Sequence, residues 1–329
     1  MADTAIPRRD IVVIGASAGG VPLLIDLAAA LPSGFPAAMF VVQHIGAHRS
    51  LLPELLRRSG PNPAMQPQHG QRVAHGTIYV APPDCHMLLA GDRIRLTHDA
   101  KENHARPAID PLFRSAAIAH GPRVIGAILS GRLDDGTAGL QAIKACGGLS
   151  IAQDPDDAEE PGMPRSAVDN VLIDRRVTRA TLAPTLLELM GQPVGARVQV
   201  PANLVCEQRL STGEGDTMDN LDAIGKPSKI ACPDCNGVLW ALNDTRPQRY
   251  RCHTGHAYTA QSLRFTQSTR VDEALWTALR ALQEREYLLR STADAHRVEG
   301  GHDEASALES EAEHVALHAQ QLQRMLADG

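Results

Sequence analysis

Ile11 to Gly20 read IVVIGASAGG. A run of β-branched residues stops at glycines set around one serine, Ser17. That is the pattern of a buried strand handing over to a tight turn and then a helix. A hydroxyl in such a turn sits at the carboxyl edge of a sheet, beside the first amides of a helix. Negative charge developing on a substrate oxygen is stabilised there. Ser17 is therefore a candidate nucleophile. The glycines fall at Gly15, Gly19 and Gly20, which is not the GxGxxG spacing, so a dinucleotide-binding turn is disfavoured.

Outward from this turn, strand-like and helix-like segments alternate for about 190 residues, as in α/β proteins. Strands are predicted at Ile11–Gly15, Ala38–His44, Thr77–Ala81, Val124–Ser130, Leu149–Gln153 and Asn170–Ile173. Helices are predicted at Val21–Leu31, Ser50–Arg58, Ile109–His120 and Thr137–Cys146. Most of the strands are near-continuous Val, Ile, Leu and Ala, which suits a parallel sheet buried on both faces. The expected fold is a doubly wound, mostly parallel α/β domain over residues 11–190, after a flexible N-terminus over 1–10. HMLLAGDRIRLTH, from His86 to His98, reads as a hairpin turning at Gly91-Asp92, at a sheet edge.

Composition narrows the function. With 329 residues there is room for one large domain and one or two small ones, and 43% hydrophobic residues supply a core. Aromatic residues make up only 3%, so that core is aliphatic. A net charge of -6 disfavours a nucleic-acid binder working through phosphate contacts. MADTAIPRRD carries no apolar stretch behind its arginines, and no run reaches the ~18 apolar residues of a membrane span. The expectation is a cytoplasmic protein with no membrane insertion.

A serine hydroxyl needs a base to take its proton, and the base needs a carboxylate to orient it. The strand AMFVVQH ends on His44. The strand VIGAILS runs into GRLDDGTAGL, which sets Asp134 and Asp135 just past the sheet. Carboxyl ends of parallel strands share one edge, so Ser17, His44 and one aspartate can converge. Each signal has a plain alternative: a structural histidine, or a turn and helix cap at Asp-Asp-Gly. Their joint placement at three strand ends favours a serine hydrolase. The chain order Ser, His, Asp and the GASAGG turn both differ from the α/β-hydrolase pattern.

IVVIGASAGG, FVVQH, GTIYVAPPDCHMLL, RPAIDPLFRSAA, ILSGRLDDGTAGLQAIKACGG, IAQDP and GMPRSAV, in that order, resemble the CheB-type protein-glutamate methylesterases of bacterial chemotaxis, from about Ile11 to Met190. The resemblance implies a Ser-His-Asp triad that removes methyl groups from glutamyl methyl esters on chemoreceptor helices, with glutamine deamidation in some members and no catalytic cofactor. By motif, Ser17 matches the nucleophile, His44 the base and Asp135 the acid. The oxyanion donors expected beside them are the backbone amides of Ala18 and Arg132. Arg106 and Arg114 are candidate contacts for an acidic receptor helix, or else residues of a solvated helix start. The sequence departs from the family in carrying Gly131-Arg132-Leu133 where GMG is usual, and Ala18 where threonine is common. It begins close to its first strand, so the expected form is one without a receiver domain. The alternative function is a degenerate esterase-fold scaffold or regulatory binding protein.

Beyond the esterase-like blocks, residues 191–229 lack periodicity and are predicted to be a linker. A cysteine-rich module follows over 230–262. Cys232-Pro-Asp-Cys235 is a CxxC knuckle, and Cys252 with His256 completes a set that fits a closed structural zinc site. His253 is the rival fourth ligand, and reduced thiols without metal are the alternative. Cys85, Cys146 and Cys206 are read as ordinary thiols. Residues 263–329 are predicted to be a helical hairpin broken at Glu299-Gly300-Gly301. Ala305, Leu308, Ala312, Val315, Ala319, Leu322 and Leu326 form a heptad seam along its second arm. The seam either packs the hairpin on itself or on the domain, or meets a second copy or a partner.

Overall fold

The apolar run that opens the sequence forms β1 (Ile11–Ala16), wholly buried, at the middle of a seven-stranded sheet. On one side of it lie β2 (Ala38–Gln43), β4 (Thr77–Val80) and the short β3 (Ala64–Met65). On the other lie β7 (Val124–Ile128), β8 (Leu149–Gln153) and β9 (Arg175–Val177). Every neighbouring pair is parallel. This computed structural model describes residues 7–44, 49–243 and 245–327. Most of the expected flexible N-terminus, residues 1–6, lies outside the described residues. Residues just after it are anchored, since Val194 N donates to Pro7 O at 3.0 Å.

Side chains alternate across a strand, so a parallel sheet must be covered on both faces. Val12, Ile14 and Ala16 of β1 pack with α1 (Gly20–Ala30), α2 (Leu52–Ser59) and α6 (Leu182–Met190). Ile11 and Val13 face the opposite layer, built from α3 (Ile109–His120), α4 (Thr137–Ala145) and α5 (Gly162–Asn170). The chain steps outward from β1 to β2 and later returns to β7 on the other flank. The strand order therefore reverses between β1 and β7, and the loops leaving their carboxyl ends diverge around a crevice.

Three expectations need correction. The strand predicted at Asn170–Ile173 is absent: Asn170 ends α5, and the edge strand is β9, whose Arg-Arg-Val sequence buries only Val177. The hairpin of β5 (His86–Ala90) and β6 (Arg93–Thr97) turns where expected, but forms its own two-stranded sheet, with Met87, Leu89 and Ile94 packed in the α3 layer. The predicted linker folds into α7 (Ala202–Thr212) and α8 (Thr217–Ile224). Helix α7 escaped the periodicity because its buried face mixes Leu204 and Leu210 with Glu207 and Ser211.

The cysteine-rich module is a four-stranded antiparallel sheet of β10 (Gly225–Ala231), β11 (Val238–Leu242), β12 (Arg249–Cys252) and β13 (Ala257–Thr259). It shares one compact unit, Met1–Leu263, with the α/β domain. A second unit, Arg264–Gly329, holds most of α9 (Ala260–Val298) and all of α10 (His302–Ala327). Their break falls at the predicted Glu299–Gly301. Ala305, Ala312, Val315 and Ala319 of the seam are buried, and Arg285–Glu311 at 2.6 Å ties the two arms together. Among the described residues, no helix is long and apolar enough to cross a membrane.

Candidate active site at the carboxyl edge

Ser17 follows β1 directly, and His44 follows β2. The register pairs Ala16 with Gln43, and His44 N donates to Ala16 O at 3.0 Å. Ser17 and His44 thus leave neighbouring strands side by side. Three bonds hold the serine backbone: Ser17 N donates to Ser130 O at 2.9 Å, Gln43 Nε2 donates to Ser17 O at 2.7 Å, and Gly20 N donates to the same oxygen at 3.0 Å. Gly19 has φ +76 and caps α1, a conformation that favours glycine. Gly131 is required by close approach. A Cβ there would stand 2.2 Å from Met163 Sδ and 2.8 Å from Ser17 Cβ.

His44 Nε2 meets Asp135 Oδ2 at 2.8 Å. The imidazole is 21% exposed and the carboxylate is buried. Asp135 Oδ2 also accepts from Ile109 N at 2.7 Å. Its Oδ1 accepts from Asn103 Nδ2 and Gly136 N, each at 2.9 Å. Burial alone raises a carboxyl pKa. Here the bond and charge of His44, with the donors of Ile109 and Asn103, outweigh burial and hold Asp135 below the ordinary range. Asp110, beside it, goes the other way. Burial and the charge of Asp135 push it well above its ordinary value, only partly opposed by the Gly139 amide at 2.6 Å. Asp134 turns away from His44 and accepts from Thr259 Oγ1 at 2.8 Å. Burial raises it to about 6, against the Thr259 bond and with help from the charge of Asp135.

Among the described residues, no acceptor takes the backbone N–H of Ala18 or of Arg132, and Ser17 Oγ makes no hydrogen bond. The Arg132 side chain, 75% exposed, pairs with Glu160 at 2.7 Å. The two candidate substrate arginines are engaged elsewhere. Arg106 bonds Asp84 Oδ1 at 2.7 and 2.9 Å and the carbonyls of His98 and Asp99 at 3.0 and 2.9 Å. Arg114 is 2% exposed and bonds Glu102, Glu207 and Ser211, so it offers nothing to a docking helix. Burial opposes the charge of Glu207, but Arg249, Arg114 and Arg251 hold its carboxyl down to about 2.

Four residues around the site were missed by sequence reasoning: Asn103, Asp110 and Ser130, and the role of Gln43 as a brace for Ser17. Asn103 lies in KENHARP, which has no periodicity, and Asp110 reads as an ordinary first-turn helix acid. Nothing in either stretch points to a buried polar cluster. The QH pair was visible, but not what its amide holds.

The Cys232, Cys235, Cys252 and His256 donor atoms all lie within 4.8 Å of one another and could hold a metal ion. Cys235 Sγ and Cys252 Sγ are 3.7 Å apart, and Cys252 Sγ is 3.5 Å from His256 Nδ1. The other ring nitrogen, Nε2, faces Asp234 at 4.0 Å. A ligating histidine commonly has such an outer carboxylate. Two turns, closed by Cys232 N to Gly237 O at 2.7 Å and Cys252 N to His256 O at 2.9 Å, bring the thiols together.

The fold is a mostly parallel α/β sheet, and a hydroxyl, an imidazole and a carboxylate lie at its carboxyl edge, where the strand order reverses. Residues 12–186 match the family model described as CheB methylesterase. The chain belongs to the CheB methylesterase family. It is 38% identical over 191 residues to protein-glutamate methylesterase/protein-glutamine glutaminase 4 of Anaeromyxobacter dehalogenans (strain 2CP-C), covering 56% of this chain and 53% of that protein. Against protein-glutamate methylesterase/protein-glutamine glutaminase 4 of Myxococcus xanthus (strain DK1622) it is 35% identical over 181 residues, covering 54% and 51%. The chain thus spans about half the length of these two relatives. The crystal structure of the Thermotoga maritima CheB methylesterase catalytic domain aligns with a TM-score of 0.53 and 32% identity, covering 55% of this chain and 98% of that one.

Proposed function

We propose that the chain is a cytoplasmic serine hydrolase that removes methyl groups from glutamyl methyl esters on chemoreceptor-like helical proteins. Glutamine deamidation is a side activity of the same site. The observation that carries this reading is the His44–Asp135 bond of 2.8 Å at the end of the strand next to Ser17. With Nε2 on the carboxylate, Nδ1 is the ring nitrogen left for the serine proton. His44 takes that proton as Ser17 Oγ attacks the ester carbonyl. The amides of Ala18 and Arg132 receive the oxyanion, His44 returns the proton to departing methanol, and water then releases the glutamate carboxylate.

Cys232, Cys235, Cys252 and His256 hold a structural zinc ion in this reading. Three thiols and an imidazole are a donor set suited to tetrahedral zinc, and four protein ligands leave no open position. A degenerate scaffold is the second reading, favoured by the lack of a hydrogen bond to Ser17 Oγ among the described residues. Catalytic hydrogen bonds often tighten only with substrate bound, so that gap is weak support for it.

Methanol release from a methylated receptor separates the two. The esterase reading expects release by the natural chain and a fall of at least about 10³-fold in Ser17→Ala. Undiminished release by Ser17→Ala removes Ser17 from the chemistry, and no release by the natural chain favours the scaffold.

A further inference from the structure

The segment from Lys101 to His104 lies between the four-stranded cysteine-rich module β10–β13, called the ribbon below, and the proposed catalytic acid. Asn103 and His104 have φ of +49 and +66, two consecutive non-glycine residues in a left-handed conformation that L-residues seldom adopt. The ribbon holds them there. Asn103 N donates to Ala257 O at 2.8 Å, Ala257 N to Lys101 O at 3.3 Å, and His104 Nε2 to Ser262 O at 3.0 Å. Arg251 meets the intervening Glu102 at 2.8 Å.

The side chain of Asn103 uses both ends of its amide. Its Nδ2 donates to Asp135 Oδ1 and to Asp110 Oδ2, each at 2.9 Å. Its Oδ1 accepts from Thr259 N and from Ser262 Oγ, each at 3.1 Å. Only an amide meets two carboxylates with one end and two donors with the other. We propose that Asn103 is a positioning residue for Asp135, and that a corner formed by Ala257 and Thr259 of β13 and Ser262 in the first turn of α9 fixes it, so that the cysteine-rich module and the helix start that follows it complete the esterase site. This rests on the reading of Asp135 as the catalytic acid.

The test is the pH profile of kcat/KM for ester hydrolysis in Asn103→Ala. The titratable groups facing Asp135 are His44 from the end of β2, Asp110 from α3, Asp134 from its own turn and His86 from β5. Removing a donor leaves the Asp135 carboxylate less stabilised and raises its affinity for a proton. The acid limb therefore moves to higher pH, by about one unit, and kcat falls about ten-fold with KM little changed. General loss of structure lowers the active fraction without moving the limb. Ser262→Ala, which keeps Asn103 but removes one of its donors, is expected to move the limb the same way by less. It also serves if Asn103→Ala does not fold.

The proton signal of the His44–Asp135 bond, followed by NMR, is the readout that does not need turnover. It shifts or broadens in both variants. Hydrolysis by the natural chain, with limb and signal unchanged in folded variants, overturns the positioning role. Absence of hydrolysis in the natural chain, with the signal still shifted or broadened in Asn103→Ala, overturns the esterase reading and leaves the positioning role standing.

Discussion

Asp134 and Asp135 are neighbours in sequence with opposite surroundings. Asp135 takes donors from His44, Ile109, Asn103 and Gly136, whereas Asp134 has the Thr259 hydroxyl. The motif Asp-Asp-Gly marked the pair, and only the resemblance singled out Asp135. The two side chains meet different partners in a turn that opens on Leu133, with φ +61, and no spacing rule reports that. Asp134, raised to about 6 by burial, makes the clearest stability prediction. Above pH 6 it is charged in both folded and unfolded chains, and the folded chain bears the desolvation penalty. As pH falls toward 4 the folded carboxyl takes a proton first, and the penalty fades. Asp134→Asn is expected to raise the unfolding free energy by about 2–3 kcal/mol at pH 8 and by little near pH 4. Urea unfolding at the two pH values checks it, and an equal gain at both would contradict the burial argument.

Among the elements, the buried strands were the most legible. β1, β2 and β7 are near-continuous apolar runs, β8 carries Ser150 and Gln153 among its apolar residues, and the limits of all four fall within two residues of prediction. Elements held by polar contacts were not legible. Helix α7 docks through Glu207 and Ser211, which join Arg114, Arg249, Arg251 and Glu102 in a buried ionic cluster. Hydrophobic periodicity has no symbol for a face of that kind. The same cluster decides the role of Arg114. Breaking a buried pair leaves carboxylates uncompensated, so Arg114→Met is expected to lower stability by about 3–5 kcal/mol. Denaturant titration measures it. A normally stable variant with only a raised KM would restore Arg114 as a substrate contact.

At the scale of the whole molecule, the order of the strands does the assembling. β1 and its neighbours β2 and β7 are laid parallel, so the residues just past their ends gather at one edge however far apart they lie in sequence. That much was readable from three apolar runs and the residues that end them. The way the ribbon reaches the same edge was not, because the segment joining them, 101–104, is irregular and polar. The account depends on Ser17 being an activated nucleophile. Labelling with a serine-directed fluorophosphonate, mapped by peptide mass, tests that most directly. The expected result is one adduct on Ser17, absent in Ser17→Ala and lost in His44→Ala. An adduct that persists in His44→Ala, or falls on another serine, would contradict it.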